Sequence, residues 1–200
     1  NSPDISEPDV QEFLKGSARV ALEVRPMFDR YIFIERSRQK CKDLEKLKDE
    51  YQEQADRIQV ERADATDYLK QWISQTDWRR TRAVMFLDPF GMQVEWTLLE
   101  AIARTEAIDL WLLVPLGMGV NRLLTRNGLP RDKWAAKLTA FFGSDEWKQE
   151  FYKPRQQLGL FDEGGEKEKA ASYDHIKEYF AKRLNEIFAG VAPNSLTQKN

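Results

Sequence analysis

Short apolar runs alternate with segments of helical periodicity through residue 118 of the chain. Tyr31-Ile32-Phe33-Ile34 is the first run, Val84-Met85-Phe86-Leu87 the second and Leu110-Trp111-Leu112-Leu113-Val114 the third. Each is too short for a typical helix and apolar at consecutive positions. That is the pattern of a strand buried on both faces of a parallel sheet. Ile58-Gln59-Val60-Glu61 alternates instead, as a strand with one wet face at a sheet edge does.

The segments between the runs read as helices. Leu44, Leu47 and Tyr51 recur at helical spacing beyond Cys41, among Lys, Asp and Glu, and give one apolar stripe on a charged rod. Val94, Leu98, Ala101 and Ile102 repeat the pattern, and Val20, Ala21 and Val24 predict an earlier helix that Pro26 ends or kinks. Helix and strand thus alternate. Crossovers of this kind predict an α/β fold with a mainly parallel, Rossmann-like sheet and helices on both faces. Residues 1–118 form this expected core. Residues 119–200 form a helical extension, with helices expected at Asn121–Thr125, Asp132–Phe142, Asp145–Tyr152 and Asp174–Phe188. A polar stretch rich in helix breakers at about residues 154–172 is expected to be a flexible loop.

Composition narrows the chemistry. Hydrophobic residues make up 42% of the 200, enough for a core. One cysteine, Cys41, excludes a disulfide framework and cysteine-rich metal sites, and one histidine, His175, argues against a histidine metal centre or a Ser–His–Asp triad. The net charge of −2 excludes a strongly basic footprint overall and leaves room only for local contacts with nucleic acid. No apolar run reaches the length of a membrane span, so a soluble, cytoplasmic chain without membrane contact is expected.

Ligands of an open parallel sheet bind at the carboxyl ends of its strands. Glu35 ends the first run, Asp64 follows the alternating strand, and Asp88-Pro89-Phe90-Gly91 ends the second. The three carboxylates are therefore expected along one rim. Glu35 reads either as the acceptor of two ribose hydroxyls or as a turn carboxylate paired with Arg36 or Arg38. Asp64 reads either as an acceptor for an adenine amine, with the small Ala65 admitting the ring, or as a helix N-cap. In the third loop proline fixes a turn, glycine permits close approach, and Phe90 either stacks on a flat ring or joins the core. His175 on a polar helix and Cys41 on its stripe read as structural, and the aromatics from Trp134 to Phe151 read as a small helical core.

The block from Arg82 to Trp96, together with Ile108-Asp109-Leu110-Trp111-Leu112-Leu113-Val114-Pro115-Leu116-Gly117, Asn121-Arg122-Leu123-Leu124 and Phe142-Gly143-Ser144-Asp145-Glu146-Trp147, resembles the three-Cys-motif partner (TcmP) proteins. The resemblance implies a class I S-adenosylmethionine-dependent methyltransferase fold of bacterial or phage-associated type, with a radical-SAM-like protein bearing three cysteines as partner. It places Glu35 at the ribose, Asp64 and Ala65 beside adenine, and Asp88, Pro89, Phe90 and Gly91 in the acceptor-binding loop. No metal is implied. Two departures stand out. Phe90 occupies the place of the second proline of the amine-methylating loop, and Gly91 that of its aromatic. No glycine-rich first strand precedes Gly16-Ser17, so the full-length protein is expected to be longer at its N-terminus.

Three functions follow from these readings. The first is methyl transfer to an acceptor such as a nucleobase. The second is a catalytically inactive scaffold for the radical-SAM-like partner or a defence complex. The third is a Mg²⁺ nuclease built on Glu35, Asp64 and Asp88, which lacks a matching lysine signature.

Overall fold

The computed structural model describes residues 16–89, 93–114, 116–154 and 167–192. The elements run α1 (Ser17–Glu23), β1 (Tyr31–Ile34), α2 (Arg38–Glu45), α3 (Leu47–Glu50), β2 (Ile58–Glu61), α4 (Ala65–Gln75), β3 (Ala83–Leu87), α5 (Trp96–Ala103), β4 (Ile108–Leu112), α6 (Asn121–Leu123), α7 (Asp132–Phe142), α8 (Trp147–Glu150), β5 (Tyr152–Pro154), β6 (Lys167–Lys169) and α9 (Tyr173–Asn185). The class is mixed α/β. Two compact units divide the chain, Asn1–Gln71 and Trp72–Asn200, with the boundary inside α4.

In the first unit β1 and β2 pair in parallel, Tyr31 opposite Ile58 and Ile34 opposite Glu61. A parallel pair cannot close through a tight turn, so α2, α3 and a 3₁₀ segment (Gln52–Arg57) form the crossover. Leu22, Tyr31, Leu47 and Ile58 are buried together, with Phe28, Phe33, Leu44 and Val60 packed around them. The charged rod thus keeps its stripe, but breaks at Lys46 into two helices. Gln54 is 2% exposed and ties the crossover to α1, its Nε2 donating to the Leu22 carbonyl at 2.9 Å.

In the second unit β3 and β4 pair in parallel, Ala83 opposite Ile108 and Leu87 opposite Leu112. The Leu113 amide extends the ladder by donating to the Leu87 carbonyl at 2.9 Å. Burial on both faces, expected from the apolar runs, does not hold for this pair. Met85 is 7% exposed, whereas Val84, Phe86 and Trp111 are 53%, 49% and 58% exposed. Consecutive apolar residues show that both faces of a strand favour cover; they do not supply the cover, and among the described residues one face has none.

The core of the second unit is aromatic. Phe141 stacks on Phe180 at 4.8 Å between ring centroids, and Phe142 meets Phe151, Tyr179 and Phe180 edge to face. These rings lie at helical spacing on α7 and α9, which α8 and Phe151 close off. Trp147, Phe142 and Phe151 are fully buried, so the expected helical core is present, although Trp134 is 40% exposed. The Tyr179 hydroxyl is buried without a well-aligned hydrogen bond, and burial raises its pKa above the usual tyrosine value. The breaker-rich stretch departs from a simple loop at both ends: β5 and β6 pair antiparallel, Tyr152 opposite Lys169. Residues 155–166 lie outside the described residues. α9 begins where Ser172 accepts from the His175 amide at 3.1 Å.

One close approach organises this core. Gly143 ends α7 in the left-handed region, φ 76°, its amide donating to the Thr139 carbonyl at 2.8 Å. A Cβ there would clash with the ring of Trp96. That ring is 3% exposed, meets Phe180 edge to face and carries the Arg183 guanidinium over it at 4.8 Å. Arg183 also donates to the Phe142 carbonyl at 3.3 Å. Gly143→Ala is expected to lose about 2–4 kcal/mol in urea denaturation, from left-handed strain and overpacking together. Gly128→Ala is the control. Its φ of 70° is similar but nothing lies within 4 Å of the added methyl, so about 1 kcal/mol is expected.

Candidate functional site

Parallel pairing sends the carboxyl ends of β1 and β2 the same way. The Glu35 amide carries the ladder one step past β1 by donating to the Glu61 carbonyl at 2.9 Å. The Glu35 carboxylate then folds over the next turn, Oε1 accepting from the Ser37 amide at 2.7 Å. Oε2 lies 3.8 Å from the Lys40 ammonium, and the side chain is 27% exposed. Neither Arg36 nor Arg38, the partners expected for a turn carboxylate, forms this ion pair. Lys40 does, because it lies on the first turn of α2 and faces back toward Glu35. Cys41, half-buried on the same helix, donates its thiol to the Glu35 carbonyl at 3.2 Å.

Asp64 is the N-cap of α4. Its Oδ1 accepts from the amides of Thr66 at 2.9 Å and Asp67 at 3.4 Å, which satisfies two of the free donors of the first turn. Oδ2 points elsewhere, 3.7 Å from Arg36 Nη1. Arg36 therefore joins the two strand ends: it follows Glu35 in the chain and reaches Asp64 through space. Ala65 begins the helix and is exposed. Along the same strand end, Gln59 Nε2 donates to Glu61 Oε1 at 2.6 Å. The Tyr68 hydroxyl titrates above the usual value, first through burial and then through Glu61, against the opposing charge of Arg30. Lys40 and Tyr68 are the residues that sequence reasoning did not single out as part of this shelf, and Arg36, expected beside Glu35, pairs with Asp64 instead. Helical spacing from the Ser37 and Asp64 caps was the available signal for Lys40 and Tyr68.

Asp88 and Pro89 follow β3 in the second unit, Asp88 exposed and Pro89 half-buried. Phe90 and Gly91, the rest of the expected acceptor loop, lie outside the described residues. Glu35 and Asp64 are thus brought to one strand end within the first unit, and Asp88 stands at the carboxyl end of its own strand in the second.

No protein-family model, curated protein or solved structure matches this chain. The side chains alone carry the functional reading.

Other features point away from chemistry. A surface hollow of about 310 Å³ is lined by Arg25, Glu50, Tyr51, Gln52, Glu53 and Gln54. Apart from Arg25 before β1, those residues belong to the crossover between β1 and β2 and include neither Glu35 nor Asp64. Its charged wall is spent on structure: Arg19 holds Glu50 at 2.7 Å, and the Tyr51 hydroxyl donates to Glu23 at 3.1 Å. His175 Nε2 lies 2.7 Å from Glu150 Oε1, and its ring meets Phe151 edge to face. Among the described residues no three His, Cys, Asp or Glu side chains come together as a metal-ligand set, and no helix is long and apolar enough to cross a membrane.

The cap and the open oxygen of Asp64 can be separated by substitution. Asp64→Ala is expected to cost about 0.5–2 kcal/mol in chemical denaturation. Asp64→Asn, which keeps a capping oxygen, should stay within about 0.5 kcal/mol of the parent.

Proposed function

We propose that the chain is methyltransferase-like, with a Rossmann-like fold of the class I S-adenosylmethionine-dependent type that the three-Cys-motif partner proteins resemble. One observation carries the reading: Glu35 and Asp64 stand at the carboxyl ends of adjacent parallel strands, each with one oxygen in a long ion pair and without a hydrogen bond. The nearest cations to those oxygens lie 3.8 and 3.7 Å away, beyond hydrogen-bond length. A carboxylate has about four acceptor sites, so the local bonds of both residues leave capacity for a nucleoside.

The two acceptors suit a nucleoside. Glu35 Oε2 would accept from the ribose hydroxyls, Asp64 Oδ2 from the exocyclic amine of adenine, and Ala65 would leave room for the ring. When bound, S-adenosylmethionine supplies an electrophilic methyl group on a sulfonium. This chain then has to orient the acceptor in line and exclude water. Asp88 would do the orienting, with Pro89 holding the backbone of its turn. A nucleobase is the acceptor class that a carboxylate and a following aromatic suit. Titration calorimetry of the full-length protein with S-adenosylmethionine and S-adenosylhomocysteine tests the reading. Binding is expected, weakened about tenfold or more in Glu35→Ala, which removes a charge-assisted acceptor. A folded parent that binds neither compound overturns it.

A second reading rests on the open β3–β4 face. Val84, Phe86 and Trp111 form an exposed apolar row of the kind found at protein interfaces, which favours a catalytically inactive scaffold for a three-Cys-motif radical-SAM-like protein or a defence complex. Co-purification with such a protein is then expected to survive Asp88→Ala and to be lost in Trp111→Asp. The opposite pattern argues for catalysis.

A further inference from the structure

The chain is slightly acidic overall, yet one stretch of the second unit is not. Between Asn121 and Lys137 stand Arg122, Arg126, Arg131, Lys133 and Lys137 against a single acid, Asp132. All five cations are exposed, and among the described residues none has an ion-pair partner.

The fold holds this stretch in place and adds a sixth cation to it. The Lys169 amide on β6 donates to the Arg126 carbonyl at 2.9 Å, and Asn127 forms a β-bridge with Glu168. The Tyr152 hydroxyl donates to the Thr125 carbonyl at 2.9 Å, and Thr125 Oγ1 donates to the Gly128 carbonyl at 2.7 Å. Lys169 Nζ donates to Asn121 Oδ1, a neutral partner. Strand alternation turns Glu168 to the other side, opposite Lys153, so the nearest carboxylate on β6 does not face Lys169. Partial burial, then the charge of Arg126, holds the Lys169 ammonium below the usual lysine range. Two cations are therefore held side by side, and among the described residues neither has an ion-pair partner.

An aromatic face lies in the same strip. Trp134 sits three residues before Lys137, so the two are neighbours on the first turns of α7, and Arg131 is the residue that leads into the helix. Although it heads the stripe that Leu138 and Phe141 continue into the core, its side chain is 40% exposed. We propose that Arg122, Arg126, Lys169, Arg131, Lys133 and Lys137, with Trp134 among them, form a surface for single-stranded nucleic acid. The cations track the phosphates, Arg by bidentate contact, and the indole stacks on a base. An anionic membrane is the weaker fit, because the apolar stripe of α7 is already buried and leaves Trp134 and Leu129 as the exposed apolar side chains here. None of these residues belongs to the methyl-transfer reading, so the surface stands or falls apart from it.

Fluorescence anisotropy of the chain with labelled oligothymidylate and oligouridylate of about 20 nucleotides tests the proposal, at salt from about 50 to 200 mM. Binding should weaken with salt. The triple variant Arg126→Ala/Lys133→Ala/Lys137→Ala should bind about tenfold or more weakly, with a log–log salt slope shallower by about two, since each lost phosphate contact removes about 0.7. Trp134→Ala should lose about tenfold in affinity with the slope unchanged, and Trp134→Tyr should recover most of it. Arg79→Ala/Arg80→Ala, elsewhere in the unit, should match the parent, and circular dichroism confirms that each variant is folded. The proposal is overturned by absence of binding at the lowest salt, by a triple variant with the parent's affinity and slope, or by tighter binding to phosphatidylserine vesicles than to either oligonucleotide.

Discussion

Parallel pairing of very short strands is the constraint on which the rest depends. Four or five residues of ladder are too little to hold two strands together in water, so each pair relies on what its crossover packs against it. In the first unit that packing is Leu22 and Leu47 against Tyr31 and Ile58, with the Gln54 amide fixing the crossover to the end of α1. The same constraint has a geometric product. Because a crossover returns the chain to the starting edge, whatever follows β1 and β2 emerges at one end, and there the chain places Glu35 and Asp64.

The second unit reaches stability by another route. Its parallel pair is covered on one face among the described residues, and its mass of buried surface lies in the rings of α7, α8 and α9. Edge-to-face contacts around Phe142 add specificity to burial, since each ring has few orientations that suit all its neighbours. Trp96 links that aromatic core to α5, seated on a glycine and capped by Arg183. A surface arginine thereby becomes a packing residue: it stacks on the indole and bonds the carbonyl of Phe142.

Much of the secondary structure was legible because its signals are local. Tyr31–Ile34 and Ile58–Glu61 begin and end where the apolar and alternating patterns do, and Phe142-Gly143 reads as a helix stop from glycine alone. β5 and β6 were not legible. Lys167-Glu168-Lys169 has no β-propensity, and its pairing is supported by contacts with Arg126 and Asn127, more than thirty residues away in the chain. The carboxylates of the candidate site were found from their position after strands, but their partners were not. Long cations such as Arg36 and Lys40 choose among several acids within reach, and helix geometry decides the choice after the fold is set.

Capping and ligand binding at Asp64 are compatible for a stereochemical reason. Serine, threonine, asparagine and aspartate all cap a helix well, and each needs one oxygen to do so. Only aspartate then keeps a second anionic oxygen on the same carbon, held at a fixed angle by the bonds of the first. In this chain Oδ1 is spent on the amides of Thr66 and Asp67, which locks the side-chain torsions, while Oδ2 faces Arg36 at a distance too long for a hydrogen bond. Glu35 repeats the arrangement with one oxygen on the Ser37 amide and the other loosely near Lys40. Two acceptors immobilised through their partner oxygens lose little side-chain freedom when a ligand arrives, which is what a preorganised hydrogen-bonding site requires.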